Sequence, residues 1–133
     1  MGRKKLLRLL LDTHALLWWA TLNRGLSRRA KNAIADEATE VLVSAASVWE
    51  IATKVRIGKL HWPASAGTVS AYVLGQGFKP LPISLDHADR AGQLQIANKD
   101  PFDRMLIAQA QIEDVWLASN ETVFDAAGVK RFW

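Results

Sequence analysis

The chain has no cysteine. This excludes disulfides, thiolate zinc sites and a cysteine nucleophile, and it fits a reducing cytoplasm. No apolar run reaches the ~18 residues of a membrane-spanning helix, so no membrane partner is expected. There is no internal repeat, no low-complexity tract and no obvious linker. His61 and His87 lack the spacing of a zinc site, and His14 reads as a turn or packing residue. The basic start Met1–Lys5, followed by Leu6–Leu11, has the outline of a signal peptide. Arg8 interrupts the apolar run, Asp12 and His14 follow at once, and no small-residue cleavage site appears, so the segment reads as a first strand behind a short basic leader.

At 133 residues, half of them hydrophobic, the chain is expected to form a single domain over 1–133 with a substantial core. A chain of this size buries roughly 70% of its extended surface, which leaves room for an oligomer contact. The net charge of +4 favours polyanionic partners, either nucleic acid or an acidic protein segment.

Strand-like and helix-like segments alternate. Leu6–Leu11 reads as a buried strand, His14–Leu22 as a helix, and Ser27 as the cap of a helix over 28–37. Val41–Val43 is a second strand, followed by a helix over 46–57 that Gly58 ends. A weaker helix is expected over 65–76, a third strand over 81–84, and a helix from Asp86 to about Ala97. Asp100-Pro101 opens the best-defined helix, with Asp at the cap and Pro at the first helical position. Val115–Ala118 is a fourth strand, 121–127 a short helix, and 129–133 a last edge strand. The alternation predicts an α/β fold: an α/β/α sandwich with a central, mostly parallel sheet of four to five strands.

Four acids stand where an apolar strand gives way to a helix or turn: Asp12, Glu50, Asp103 and Glu121. In an open α/β sheet the carboxyl ends of the strands share one edge, and ligands bind there. Acids gathered at that edge repel one another and need a cation, and hard divalent ions such as Mg²⁺ or Mn²⁺ prefer oxygen ligands.

Each acid also has a structural explanation. Asp12 suits the cap of the following helix. Glu50 could form an exposed i,i+4 pair with Lys54 worth ~0.3–0.5 kcal/mol. Asp100 and Asp103 share one helix start, with capping assigned mainly to Asp100 and metal chemistry mainly to Asp103. Glu121 could be an acid in the first turn of a short helix, while Ser119 and Asn120 beside it could hold a water or support a ligand. Arg104 could pair with an acid or meet a phosphate. Lys54, Arg56 and Lys59 form either a solvated helix face or a contact for an RNA backbone. The six tryptophans read as core and interface anchors. Trp18 and Trp19 are adjacent, so one of them is a candidate for a partner surface.

The motifs in order carry a specific resemblance. Leu10-Leu-Asp12-Thr13-His14-Ala-Leu-Leu-Trp18 resembles the opening motif of PIN-domain proteins of the VapC toxin type. The stretch Ser44-Ala-Ala-Ser47-Val-Trp49-Glu50-Ile-Ala52, with Lys54 and Gly58-Lys59-Leu60, resembles the second. Asp100-Pro-Phe-Asp103-Arg104-Met-Leu-Ile107-Ala-Gln109 resembles the third, and Ser119-Asn120-Glu121-Thr-Val-Phe124 the fourth.

The resemblance implies a PIN-like fold and a Mg²⁺- or Mn²⁺-dependent endoribonuclease. It also implies the toxin half of a type II toxin–antitoxin pair, held by a VapB-like antitoxin and usually dimeric. By position, Asp12, Glu50 and Asp103 match the metal-site acids, Thr13, Ser47 and Ser119 the hydroxyls near them, and Glu121 a fourth acid that is often Asp. Its extra methylene leaves direct and water-mediated contact both open. The competing readings are a PIN-like module that binds RNA or protein with little or no cleavage, another metal-dependent phosphohydrolase, and a purely structural interaction protein.

Overall fold

A computed structural model describes residues 6–133. The Met1–Lys5 leader lies outside the described residues. Five strands form one sheet: β1 (Arg8–Leu11), β2 (Glu40–Ser44), β3 (Lys79–Leu81), β4 (Trp116–Ala118) and β5 (Arg131–Phe132). Their order is β3-β2-β1-β4-β5, and every neighbouring pair is parallel. Six α-helices accompany them: α1 (Thr13–Thr21), α2 (Arg28–Ala35), α3 (Ala45–Arg56), α4 (Val69–Gly75), α5 (Leu85–Gln93) and α6 (Pro101–Glu113).

The leucines of β1 explain the layering. Leu9, Leu10 and Leu11 are all fully buried, and successive side chains on a strand face opposite ways. Leu9 and Leu11 join a core with Val41, Val43 and residues of α1 to α4. Leu10 joins the other core, with Leu42, Leu117 and the α6 residues Leu106, Ile107 and Ala110. Helices therefore cover both faces, which is why the central strands read as unbroken apolar runs. Each such leucine contributes about 1.5–3 kcal/mol relative to an exposed one.

The topology positions the site. From β1 the chain builds outward through β2 to β3, then crosses back to lay β4 and β5 on the other side of β1. The order reverses between β1 and β4, which is the switch point where parallel α/β sheets open a crevice. The amide of Asp12 donates to the carbonyl of Ala118 at 3.0 Å, closing that crevice at its floor.

Several elements differ from their sequence-based expectation. The helix expected over 65–76 is interrupted by Gly67 at φ +72°, leaving a 3₁₀ turn at Ala64–Ala66 and α4, capped by the Thr68 hydroxyl. The third strand ends at Leu81 because Pro82 has no amide to donate and Ser84 is recruited as the α5 cap. Helix α5 stops at Gln93 rather than near Ala97. The short helix expected over 121–127 is a 3₁₀ helix over Thr122–Ala127. Trp18 and Trp19 both lie half-buried against the first core, whereas Trp49 is 63% exposed and meets Phe102 edge-on at 5.1 Å. No helix among the described residues is long and apolar enough to cross a membrane.

Candidate metal centre

Asp12 is the residue immediately after β1, and only 3% of it is accessible. Its Oδ1 accepts the Ala15 amide at 2.7 Å, so it caps α1. Burial pushes its carboxyl from the ordinary 3.8 up to about 6. Hydrogen bonds from the Ser119 side chain and the Ala15 amide pull the value back, the Glu121 charge raises it further, and His14 lowers it. Asp12 thus stands in a poorly solvated place with a second acid facing it.

Glu50 is not the exposed i,i+4 partner that spacing allows. It is buried in α3 against α1, where Thr13 Oγ1 meets its Oε1 at 2.6 Å and Lys54 Nζ its Oε2 at 2.5 Å. Ser47 Oγ lies 3.2 Å from Thr13 Oγ1. A hydroxyl has one proton to give, and a carboxylate only accepts. Thr13 therefore donates to Glu50 and Ser47 donates to Thr13, a relay that fixes the Glu50 rotamer. The pairing with Glu50 raises the Lys54 pKa, burial opposes it, and the charges of Glu50, Asp100 and Asp103 add to it.

Helix α6 starts as its sequence dictates. Asp100 Oδ1 accepts the Asp103 amide at 2.9 Å, and Pro101 occupies the first turn. Asp103 sits in that turn with Oδ2 accepting the Asn98 amide at 3.1 Å. Burial raises its pKa, the Asn98 bond lowers it, and the charges of Asp100, Glu121 and Glu50 raise it. Glu121 stands after β4, half-exposed, with its Oε1 3.7 Å from Nδ1 of an exposed His14. Its amide donates to Ser119 Oγ at 3.0 Å, so the fully buried Ser119 both shapes this turn and supports Asp12. Asn120 is exposed.

The fold thus brings Asp12, Glu50, Asp103 and Glu121 from four separate segments to one edge, where Asp12 and Asp103 are held partly protonatable by burial and by their acidic neighbours. Among the described residues, no three His, Asp or Glu side chains close tightly round a single point. Such an edge suits Mg²⁺ or Mn²⁺, because Mg²⁺ keeps several waters and is held through only one or two carboxylates. The donor set is all oxygen, as hard ions require.

The cations divide differently from their spacing. Arg56 and Lys59 are exposed at the end of α3. Lys54 is occupied by Glu50. Arg104 points away from a phosphate role: its guanidinium donates to the carbonyls of Ala91, Gly92, Leu94 and Asn98 at 2.7–3.4 Å. Four of its five N–H groups are committed there, so the phosphate-contact reading of Arg104 is set aside. Sequence reasoning also missed Asn98, whose only signal is an Asn two residues before the capping Asp100, the spacing of a side-chain turn.

Residues 9–130 match the PIN domain family. The chain belongs to that family. Solved structures share the fold at low identity. FitAcB from Neisseria gonorrhoeae is 20% identical with a TM-score of 0.66, covering 94% of this chain and 96% of its own. DNA-bound VapBC from Salmonella typhimurium is 16% identical with a TM-score of 0.69, over 95% and 96%. VapC20 of Mycobacterium tuberculosis, described as a sarcin–ricin-loop-cleaving toxin, is 19% identical with a TM-score of 0.63, over 93% and 98%. No curated protein matches the chain closely enough to count as a relative. In this PIN domain Asp12 and Glu121 follow β1 and β4, Glu50 lies in the second turn of α3 and Asp103 in the first turn of α6, all on the switch-point side of the sheet.

Proposed function

We propose that this PIN domain is a metal-dependent endoribonuclease and the toxin of a type II toxin–antitoxin pair. The observation that carries the reading is the meeting of four carboxylates at the switch point, where burial first, and the charges of neighbouring acids after it, raise the pKa of buried Asp12 and part-buried Asp103. The family match, and the sarcin–ricin-loop-cleaving toxin VapC20 among the structures of like fold, support it.

In this reading Asp12 and Asp103 hold a Mg²⁺ or Mn²⁺ ion. When bound, that ion would polarise a phosphate oxygen and lower the pKa of a coordinated water. Asp12 caps α1 through Oδ1, and the Ser119 hydroxyl holds the same carboxylate in place. Glu50, fixed by the Ser47–Thr13 relay, holds a second contact or orients the attacking water. Glu121, at the open side, accepts the proton of that water or holds it in place. Arg56 and Lys59 offset the charge of the RNA backbone beyond α3. A VapB-like antitoxin is the protein partner, a homodimer the working assembly, and the cytoplasm the compartment.

The test is to incubate the purified protein, free of antitoxin, with total cellular RNA and Mg²⁺ or Mn²⁺. Discrete fragments that disappear with EDTA and with Asp12→Asn are expected. Absence of cleavage by folded, metal-loaded protein across many RNAs would overturn the nuclease reading in favour of a binding module.

A further inference from the structure

Arg104 follows a metal-site acid directly, where a cation is easily taken for a phosphate ligand. Its hydrogen bonds point elsewhere. Nε donates to Ala91 at 3.0 Å, Nη2 to Leu94 at 2.7 Å and, longer, to Gly92 at 3.4 Å. These are carbonyls at the end of α5, where the last turn of a helix leaves acceptors without partners and a cation is favoured. Nη1 donates to the Asn98 carbonyl at 2.9 Å. One guanidinium therefore clamps the segment from α5 to Asn98 against the start of α6.

Asn98 then passes that fixation on. Its Oδ1 accepts the Asp100 amide at 2.9 Å, and its Nδ2 donates to Asp103 Oδ2 at 3.1 Å. An amide oxygen cannot serve a carboxylate and an NH₂ cannot serve an amide N–H, so the two bonds fix which way the side chain lies. The amide in turn fixes the rotation of the Asp103 carboxylate.

We infer that Arg104 and Asn98 are a positioning unit for Asp103: Arg104 acts on the reaction by locking Asn98, and Asn98 sets the carboxylate that holds the metal. The inference rests on the metal-site reading above. A planar fork reaches carbonyls in several directions at once. A lysine, whose three protons sit on one atom, does not.

The test compares Asn98→Ser and Arg104→Lys with the parent. Serine can keep the turn, because Ser44 and Ser119 here each accept the amide two residues on. It is too short to reach Asp103. Lysine keeps the charge and loses the fork. Mn²⁺ uptake without RNA is followed by electron paramagnetic resonance, together with kcat, KM and salt dependence for RNA at saturating Mn²⁺. Both variants are expected to bind Mn²⁺ about 10-fold more weakly, with KM and the salt dependence unchanged. Parental Mn²⁺ affinity in folded Asn98→Ser would overturn the positioning role. So would an Arg104→Lys effect confined to KM and salt dependence, which belongs to a phosphate contact. A parent that takes up no Mn²⁺ would instead overturn the metal-site reading itself.

Discussion

The two rims of the sheet carry acids in comparable numbers and treat them in opposite ways. At the amino ends of the strands Glu40, Glu113 and Asp114 each have a basic side chain beside them. Glu40 lies between Arg8 at 3.6 Å and Lys79 at 3.3 Å, Glu113 meets His87 at 3.2 Å, and Asp114 meets Lys130 at 2.9 Å. At the carboxyl ends Asp12, Glu50, Asp103 and Glu121 share Lys54 and an exposed His14, and burial together with the charges of neighbouring acids raises the pKa of Asp12 and Asp103. A rim kept for stability neutralises its charges internally. A rim that keeps like charges together retains a free-energy cost that a bound cation relieves.

The contrast is broken most severely by removing a carboxylate from the acidic rim. Asp12→Asn or Asp103→Asn is expected to lower RNA cleavage by more than about 100-fold, beyond the loss that a supporting contact accounts for. The measurement is single-turnover cleavage with saturating Mn²⁺.

The next effect runs in the opposite direction, in the metal-free protein. Asp12 has a native pKa of about 6 against an ordinary 3.8, so the native state holds this proton more tightly than the unfolded state does. Its contribution to stability is therefore largest below about pH 4 and is lost as pH rises through about 6. Above that window the ionised carboxyl costs the native state about 3 kcal/mol. Asn can still cap α1. Asp12→Asn should therefore be more stable than the parent in urea melts at pH 7 with EDTA, and the difference should vanish near pH 4. A constant difference across that range would sink this account of the acidic rim.

Two smaller changes sharpen the comparison. Lys54→Met leaves Glu50 buried without its cation and is expected to cost about 1–3 kcal/mol without metal, with added Mn²⁺ narrowing the gap in thermal melts. On the amino rim, Glu40→Gln should cost at most about 1 kcal/mol, and that cost should shrink as salt is added.

The apolar pattern made most of the architecture legible. The apolar run ending at Leu11 reads as a strand covered on both faces, and is one, and the Asp100-Pro101 helix start appears as its capping chemistry requires. Segments whose ends depend on distant partners were harder to read. The end of α5 is set by Arg104, which lies ten or more residues further along the chain. The acids of the proposed site were legible at the strand ends, since their position relative to the strands is local information. Their partners were not. The Glu50–Thr13 bond and the Arg104 clamp join residues by geometry, and spacing left Glu50 open between a site acid and an exposed ion pair, and Arg104 open between an acid partner and a phosphate.

The placement of β4 between β1 and β5 also sets an order in time. Synthesis delivers Asp12, Glu50 and Asp103 early, but the Ser119 hydroxyl that supports Asp12 and the carboxylate of Glu121 arrive only with the strand that fills the switch point. A nascent chain still lacking that strand has an open crevice and an incomplete set of acids. For a chain that cuts RNA as proposed here, activity then waits on the docking of its last two strands.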